Sequence, residues 1–378
     1  MIAYDRYTKK YTTCYIRMYG MRFVRLDNCK EGMIIGKTIY GGEMMLLTFG
    51  TVLKQNHIDA LHRLGYPGIY IDDQQSRGID IPEVIDPATH NKARQTIKGL
   101  FAVSRFTGFV NTQALIKGIE DVLDEIINQI AANKDAVANI TTLKTFDDYT
   151  YQHCVDVGVL SILLGQEFQL KKSTLIELGK AAFFHDIGKM FVPKTILNKP
   201  SQLTEEEFEI MKKHPELGYE CLKNALRQND VLCNGVLSHH EKFEGGGYPY
   251  GVAGDNIPFF ARIIAVTDVY DAITSKRAYK GAMTPTEAYE YIMGSAGTHF
   301  DPIVVNAFVR KIPPFQIGSS VILSDGNLAI VMENRPQVMM RPVIRLIPKD
   351  GSQKEIDGIT IDLAHDYSAR NLTIVGAL

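Results

Sequence analysis

Apolar and polar positions change rhythm three times along this chain. In the first stretch the runs are short. Residues 22–26 alternate as a strand does, and residues 37–40 and 43–49 predict a strand pair around Gly41-Gly42. Residues 57–64 have helical spacing, and the turn Gly65-Tyr66-Pro67-Gly68 leads into a strand at 69–71. This predicts a small α+β domain over residues 1–88, with residues 1–20 as a tail.

From residue 89 to 312 the period becomes helical. Residues 114–132 repeat apolar side chains at three- and four-residue steps, the pattern of an amphipathic helix. Two helix starts are written as capping boxes, Thr204-Glu205-Glu206-Glu207 and Thr284-Pro285-Thr286-Glu287. No alternating βαβ rhythm occurs, which argues against a parallel sheet. Residues 313–378 return to short β-rich runs, at 319–323, 328–332 and 343–346. The predicted fold class is therefore mainly α. A helical linker and catalytic bundle at 89–312 stands between the α+β domain and a small β-rich domain at 313–378.

Composition narrows the function classes. A chain of 378 residues with formal net charge −2 carries no global basic field for DNA or RNA. Its five cysteines, Cys14, Cys29, Cys154, Cys221 and Cys233, are odd in number and form no CxxC pair. That suits a reducing cytoplasm better than a disulfide framework. No apolar run reaches the length of a membrane span, and the basic, Tyr-rich start lacks the apolar core of a signal peptide.

Chemistry concentrates in the helical region. Five of the ten histidines fall between residues 153 and 240: His153, His185, His214, His239 and His240. Neutral imidazole is the commonest side-chain donor to transition metals. His185-Asp186 lies in AAFFHDIGKM at 181–190, an apolar segment read as helical. Polar groups there are costly unless paired or bound to metal. Two readings are open: a helix end where Asp186 pairs with Lys189, or a ligand pair whose carboxylate reaches two ions. His239-His240-Glu241 follows the apolar run 231–237, as terminal ligands or as a surface pair. His214, before Pro215, ends the helix that Thr204 starts. Asp268, in an apolar helical stretch, needs a partner, either a metal or Arg262. Asp271 follows three residues on, and Arg277 and Lys280 are again three apart. A continuing helix would present those two cations together, to a phosphate or guanine edge or to solvent. Gly245-Gly246-Gly247-Tyr248-Pro249 is either a plain turn or a loop whose backbone can approach a ligand closely.

In order, these pieces resemble the HD-GYP family of the HD metallohydrolase superfamily. The resemblance spans roughly residues 145–310. It rests on Tyr149-Thr150-Tyr151-Gln152-His153, His185-Asp186-Ile187-Gly188-Lys189, His214, His239-His240-Glu241 and Gly247-Tyr248-Pro249. It continues through Asp268-Val269-Tyr270-Asp271-Ala272-Ile273-Thr274-Ser275, Arg277, Tyr279-Lys280 and Gly297-Thr298-His299-Phe300-Asp301-Pro302. It implies a helical HD-type catalytic bundle and a bacterial signalling enzyme. That enzyme hydrolyses cyclic di-GMP to linear pGpG, and often onward to GMP. It implies His153, His185, Asp186, His214, His239, His240 and Asp268 as metal ligands, with Asp186 and Lys189 catalytic. It implies Arg277, Lys280 and Tyr248 as substrate-binding. Five imidazoles and two carboxylates disfavour Mg²⁺. The expected cofactor is two divalent ions, iron first and manganese second. Asp186 would be shared between them, and Lys189 would steady charge on the phosphate or leaving group.

Three positions depart from the family pattern. Some members place a Glu four residues before the first His to help hold a third ion. Here Tyr149 stands there, and Asp148 lies about 140° further round a regular helix, so two ions are expected. Glu244 replaces the usual Asp. Cys154 replaces the common Ser, as an oxidation-sensitive thiol or a buried structural one. The expected partners are a cyclic dinucleotide, and a second copy or a signalling protein. Rival readings are a related hydrolase of dNTPs or (p)ppGpp, a silent cyclic di-GMP sensor, and a phosphodiesterase for mixed cyclic GMP-AMP.

Overall fold

The computed structural model describes residues 20–41, 44–107, 113–133, 149–275, 283–335, 338–347 and 359–377. They divide into two compact units. One unites the described residues up to Pro82 with those from Pro313 onward, and the other takes in the described residues between 83 and 312.

In the first unit, strands β1 (Gly20–Arg25), β2 (Ile34–Ile35) and β5 (Gly68–Asp73) form an antiparallel sheet with β5 in the middle. β3 (Ile39–Gly41) and β4 (Met44–Leu47) make the expected hairpin, and α1 (Gln55–Arg63) covers the core with Ile58 and Leu61. The later half is a five-stranded antiparallel sheet in the order β10-β6-β7-β8-β9. Its strands are β6 (Ser320–Leu323), β7 (Leu328–Glu333), β8 (Val343–Ile347), β9 (Thr360–Asp362) and β10 (Ile374–Ala377).

The sequence reading keeps residues 1–88 and 313–378 as separate domains, but here the two flanks share a core. Tyr70, Ile79 and Ile81 pack with Ile330, and Phe23 and Met332 close around them. The Phe23 N–H donates to Gly318 O at 2.9 Å, and the Arg345 guanidinium to Arg77 O at 2.6 Å. Gly318 has φ 83°, and a Cβ there would lie 2.7 Å from Ile81 Cδ1. Only glycine meets both conditions.

The second unit is helical, in keeping with the mainly α class. Its helices are α2 (Pro87–Thr107), α3 (Gln113–Ala132), α4 (Tyr149–Glu167), α5 (Lys172–Phe184), α6 (Lys194–Leu197) and α7 (Glu205–Met211). They continue with α8 (His214–Glu220), α9 (Asp230–Leu237), α10 (Phe259–Thr274), α11 (Pro285–Gly294) and α12 (Pro302–Lys311). α3 buries Ile119, Val122, Leu123, Ile126, Ile127 and Ile130, the stripe its spacing predicts. α4, the end of α5 from Leu178 and α10 are buried nearly all round because they form the centre of the bundle. Both capping boxes are made. Thr204 Oγ1 accepts from the Glu207 N–H at 3.3 Å, and Glu207 Oε2 from the Thr204 N–H at 2.8 Å. Thr284 and Glu287 repeat the exchange at 3.2 and 2.7 Å.

Two local expectations change. The segment 181–190 is not one helix: α5 stops at Phe184 and a 3₁₀ turn, Ile187–Phe191, follows. His214 does not end a helix but opens α8, with Pro215 in the first turn, where its missing N–H costs nothing. Among the described residues, no helix is long and apolar enough to cross a membrane.

Candidate metal centre

Helix ends build this site. A helix leaves its last carbonyls without intrahelical donors. His185 follows the end of α5, His214 follows α7, and His239 follows α9. Each turns its ring back and donates Nδ1–H to the carbonyl three residues earlier. The pairs are His185 to Ala182 O at 2.7 Å, His214 to Met211 O at 2.8 Å and His239 to Val236 O at 2.5 Å. A carbonyl can only accept, so the proton must sit on Nδ1. The neutral ring then points a bare Nε2 lone pair into the cluster.

His153 is fixed differently, by Asp271. His153 Nδ1 donates to Asp271 Oδ2 at 2.6 Å, and both residues are buried. Its Nε2 lies 3.1 Å from Asp268 Oδ1 and 3.2 Å from His185 Nε2. His214 Nε2 and His239 Nε2 face each other at 3.4 Å. Asp186 lies between the two sets. Its Oδ1 is 3.5 Å from His214 Nε2 and its Oδ2 is 3.5 Å from His185 Nε2. Two trios therefore converge donor atoms within 4.8 Å: His153, His185 and Asp268, and His214, His239 and His240.

The charges follow from burial. Burial, then the Lys189 cation, lowers His214 to about 4. Burial, then His185 and His214, lowers His239 to about 3. His240 is held well below its ordinary value by burial and by His239. Neutral imidazole is the form that ligates metal. For His153 burial also pulls downward, but the bonds to Asp268 and Asp271 outweigh it and raise the ring to about 10; His153 would give up its Nε2 proton to ligate a cation beside Asp268. Burial opposes the Asp186 charge, yet Lys189, 2.6 Å from Oδ2, and then His185 hold that carboxyl well below the usual range. The Lys189 pair of the first reading is present, and Asp186 makes it from within the histidine cluster.

Facing lone pairs and the buried Asp186 Oδ1, which has no hydrogen-bond partner, leave acceptors without a donor. Acceptors in such surplus need a cation. The donor set of imidazoles and carboxylates suits a divalent transition metal.

All seven residues marked as ligands in the sequence come together, with Lys189 against Asp186. Tyr248 stacks on His240, ring centroids 4.7 Å apart. Arg277 and Lys280 lie outside the described residues. Arg262 turns away from Asp268 to Asp255 and Asp301, at 2.9 and 2.8 Å. Cys154 is fully buried, and burial, then Asp186, pushes its thiol far up, so it is a structural cysteine. Tyr149 is the first residue of α4, and Asp148 lies outside the described residues.

Asp271, which the sequence reading named without giving it a role, is the residue that fixes His153. Its signal was a second acid one turn from Asp268 on a buried helix. Glu241 also has a clear task. Its Oε1 accepts the N–H groups of Tyr250 and Gly251 at 2.8 and 3.1 Å, closing the Gly-Tyr-Pro loop.

Residues 125–304 match the HD domain family. A cyclic di-GMP phosphodiesterase of Pseudomonas aeruginosa is 35% identical over 72% of this chain and 65% of its own length. A cyclic di-GMP phosphodiesterase response regulator of Xanthomonas campestris is 42% identical over 39% of each chain. A 3′3′-cGAMP-specific phosphodiesterase of Vibrio cholerae is 37% identical over 43% of this chain and 31% of its own. The chain spans less than two thirds of the length of these curated relatives.

Proposed function

From the match of residues 125–304 to the HD domain family we propose that this chain is a metal-dependent phosphodiesterase of cyclic di-GMP. The product is linear pGpG. The observation that carries the reading is the pair of donor trios with Asp186 between them.

In this reading His153, His185 and Asp268 would hold one divalent ion and His214, His239 and His240 the other, with Asp186 between the two sets. Iron is the first choice and manganese the second. Such ions stabilise charge on phosphoryl oxygens and lower the pKa of water. The protein does the rest. Carbonyl bonds fix three imidazoles as Nε2 donors, and Asp271 fixes the fourth. Lys189 keeps Asp186 ionised and lies where it can balance negative charge on the phosphate or on the leaving 3′ oxygen. Tyr248 stacks on His240 and walls the cluster on that side. Arg277 and Lys280 are proposed to take the substrate phosphates. Water adds to phosphorus, the bond to the 3′ oxygen breaks, the proton the water gives up ends on that 3′ oxygen, and the product keeps a 5′ phosphate. The four described cysteines form no disulfide, which suits a reducing cytoplasm, where we place the activity.

The test is anaerobic turnover with Fe(II)- or Mn(II)-loaded protein, products separated by chromatography, and Asp186→Ala as control. Cyclic di-GMP is compared with 3′3′-cGAMP, the molecule for which the Vibrio relative is named specific. Linear dinucleotide absent from the control is the expected result. Metal-filled protein that opens neither molecule refutes the proposal, and a clear preference for 3′3′-cGAMP replaces its substrate.

A further inference from the structure

A row of rings leads from the histidine cluster to solvent. Tyr248 stacks on His240 with planes 30° apart. Phe208 meets Tyr248 edge-on, centroids 6.4 Å apart. Phe208 is 46% exposed, and its helix, α7, buries no residue at all. Core packing therefore does not account for a phenylalanine at this position. What it offers is a flat apolar ring, joined through one other ring to a candidate metal ligand. Lys212, one turn further on, sets its ammonium 5.5 Å from the Phe208 centroid and pairs with Glu209. The rim of the cluster thus combines an exposed aromatic face with a cation, the pairing that nucleotide recognition uses.

We propose that Phe208 is a stacking platform for one purine base of the substrate, with Tyr248 setting the ring and Lys212 supplying a neighbouring positive charge. This rests on the cyclic-dinucleotide reading above and gives it a base subsite. A substrate whose phosphate sits among the histidines must project its bases away from them. The row from His240 through Tyr248 to Phe208 runs in that outward direction.

The test separates base from phosphate. Binding of GMP and of ribose 5-phosphate is measured by isothermal titration calorimetry on the full chain and on Phe208→Ala and Phe208→Tyr. Because α7 buries nothing, the substitutions spare the core. Phe208→Ala is expected to weaken GMP roughly 5- to 150-fold, the span of one base stacked on a ring. Phe208→Tyr restores binding, and ribose 5-phosphate binds all three proteins alike. Equal weakening of both ligands overturns the platform, since Phe208 would then only brace Tyr248. Unchanged GMP binding, or a parent protein with no preference for GMP over ribose 5-phosphate, also overturns it. The readout needs no turnover. A chain that holds GMP through Phe208 yet hydrolyses no cyclic dinucleotide keeps the platform and loses the proposed function. A chain that hydrolyses cyclic di-GMP with flat GMP data loses the platform alone.

Discussion

Replacing Asp271 with Ala strips His153 of the acceptor that fixes its ring. Asp271 is 1% exposed and takes the His153 Nδ1–H at 2.6 Å. A short bond to an ionised acceptor in a dry place is about twice as strong as a neutral one. Without it the Nδ1–H is left unpaired and the ring can turn. Nε2 also loses the electron density that a carboxylate lends through the imidazole. Removing such an outer partner lowers metal affinity about 10- to 100-fold, or about 1.4 to 2.7 kcal/mol. Asp271→Asn keeps an oxygen acceptor but not its charge, so it should fall between Ala and the parent. Chelator-competition titration of Mn(II) on all three proteins measures the effect, with circular dichroism checking that each is folded. Asp271→Ala that binds Mn(II) within about twofold of the parent refutes the reasoning.

Other outcomes follow from the same structure. Metal counting by anomalous diffraction should find two ions in the cluster, and a third at full occupancy would show that Tyr149 does not limit the site. Gly188→Ala should lower Tm by several degrees, because the new Cβ would lie 1.9 Å from His214 O and 2.6 Å from Gly218 N, both backbone atoms. Such overpacking costs roughly 1–3 kcal/mol or more, and a melt within about 1 °C of the parent would contradict it. Burial, then Asp73, raises the Asp72 carboxyl to about 6. The folded state therefore holds that proton more tightly than the unfolded chain. The charged form costs stability above pH 6, and the cost is gone below about pH 4. Asp72→Asn should raise Tm at about pH 8 and leave it unchanged at about pH 4, and the reverse order would sink the assignment.

Periodicity carried much of the fold. The α3 stripe and the Thr204 and Thr284 boxes are local patterns, and local patterns can be read from one sequence. The histidine spacing, with its buried acids, marked the cluster before any geometry. Other features were hidden because their partners lie far away in the chain. Nothing near Arg262 says that it prefers Asp255 and Asp301 to Asp268, six residues along its own helix. Asp271 looks like any acid of a helix until His153, 118 residues earlier, comes to meet it. β9 and β10 are short strands recognisable mainly by the edges they join, and the shared core of the two flanks is a pairing that no local period encodes. His214 shows a subtler limit: Pro215 signals a break, but not whether the residue before it closes one helix or opens the next.

The shared core also sets an order of assembly. A ribosome makes β1, β5 and the residues around Ile79 before any of the helical unit, and Ile330 comes only after all of it. The early sheet must wait with an apolar face unpaired while some 230 intervening residues are synthesised, a state that invites misassociation. The same order makes late truncation costly, since a chain cut before Pro313 would lose the β-sheet that covers Tyr70, Ile79 and Ile81 as well as its own tail.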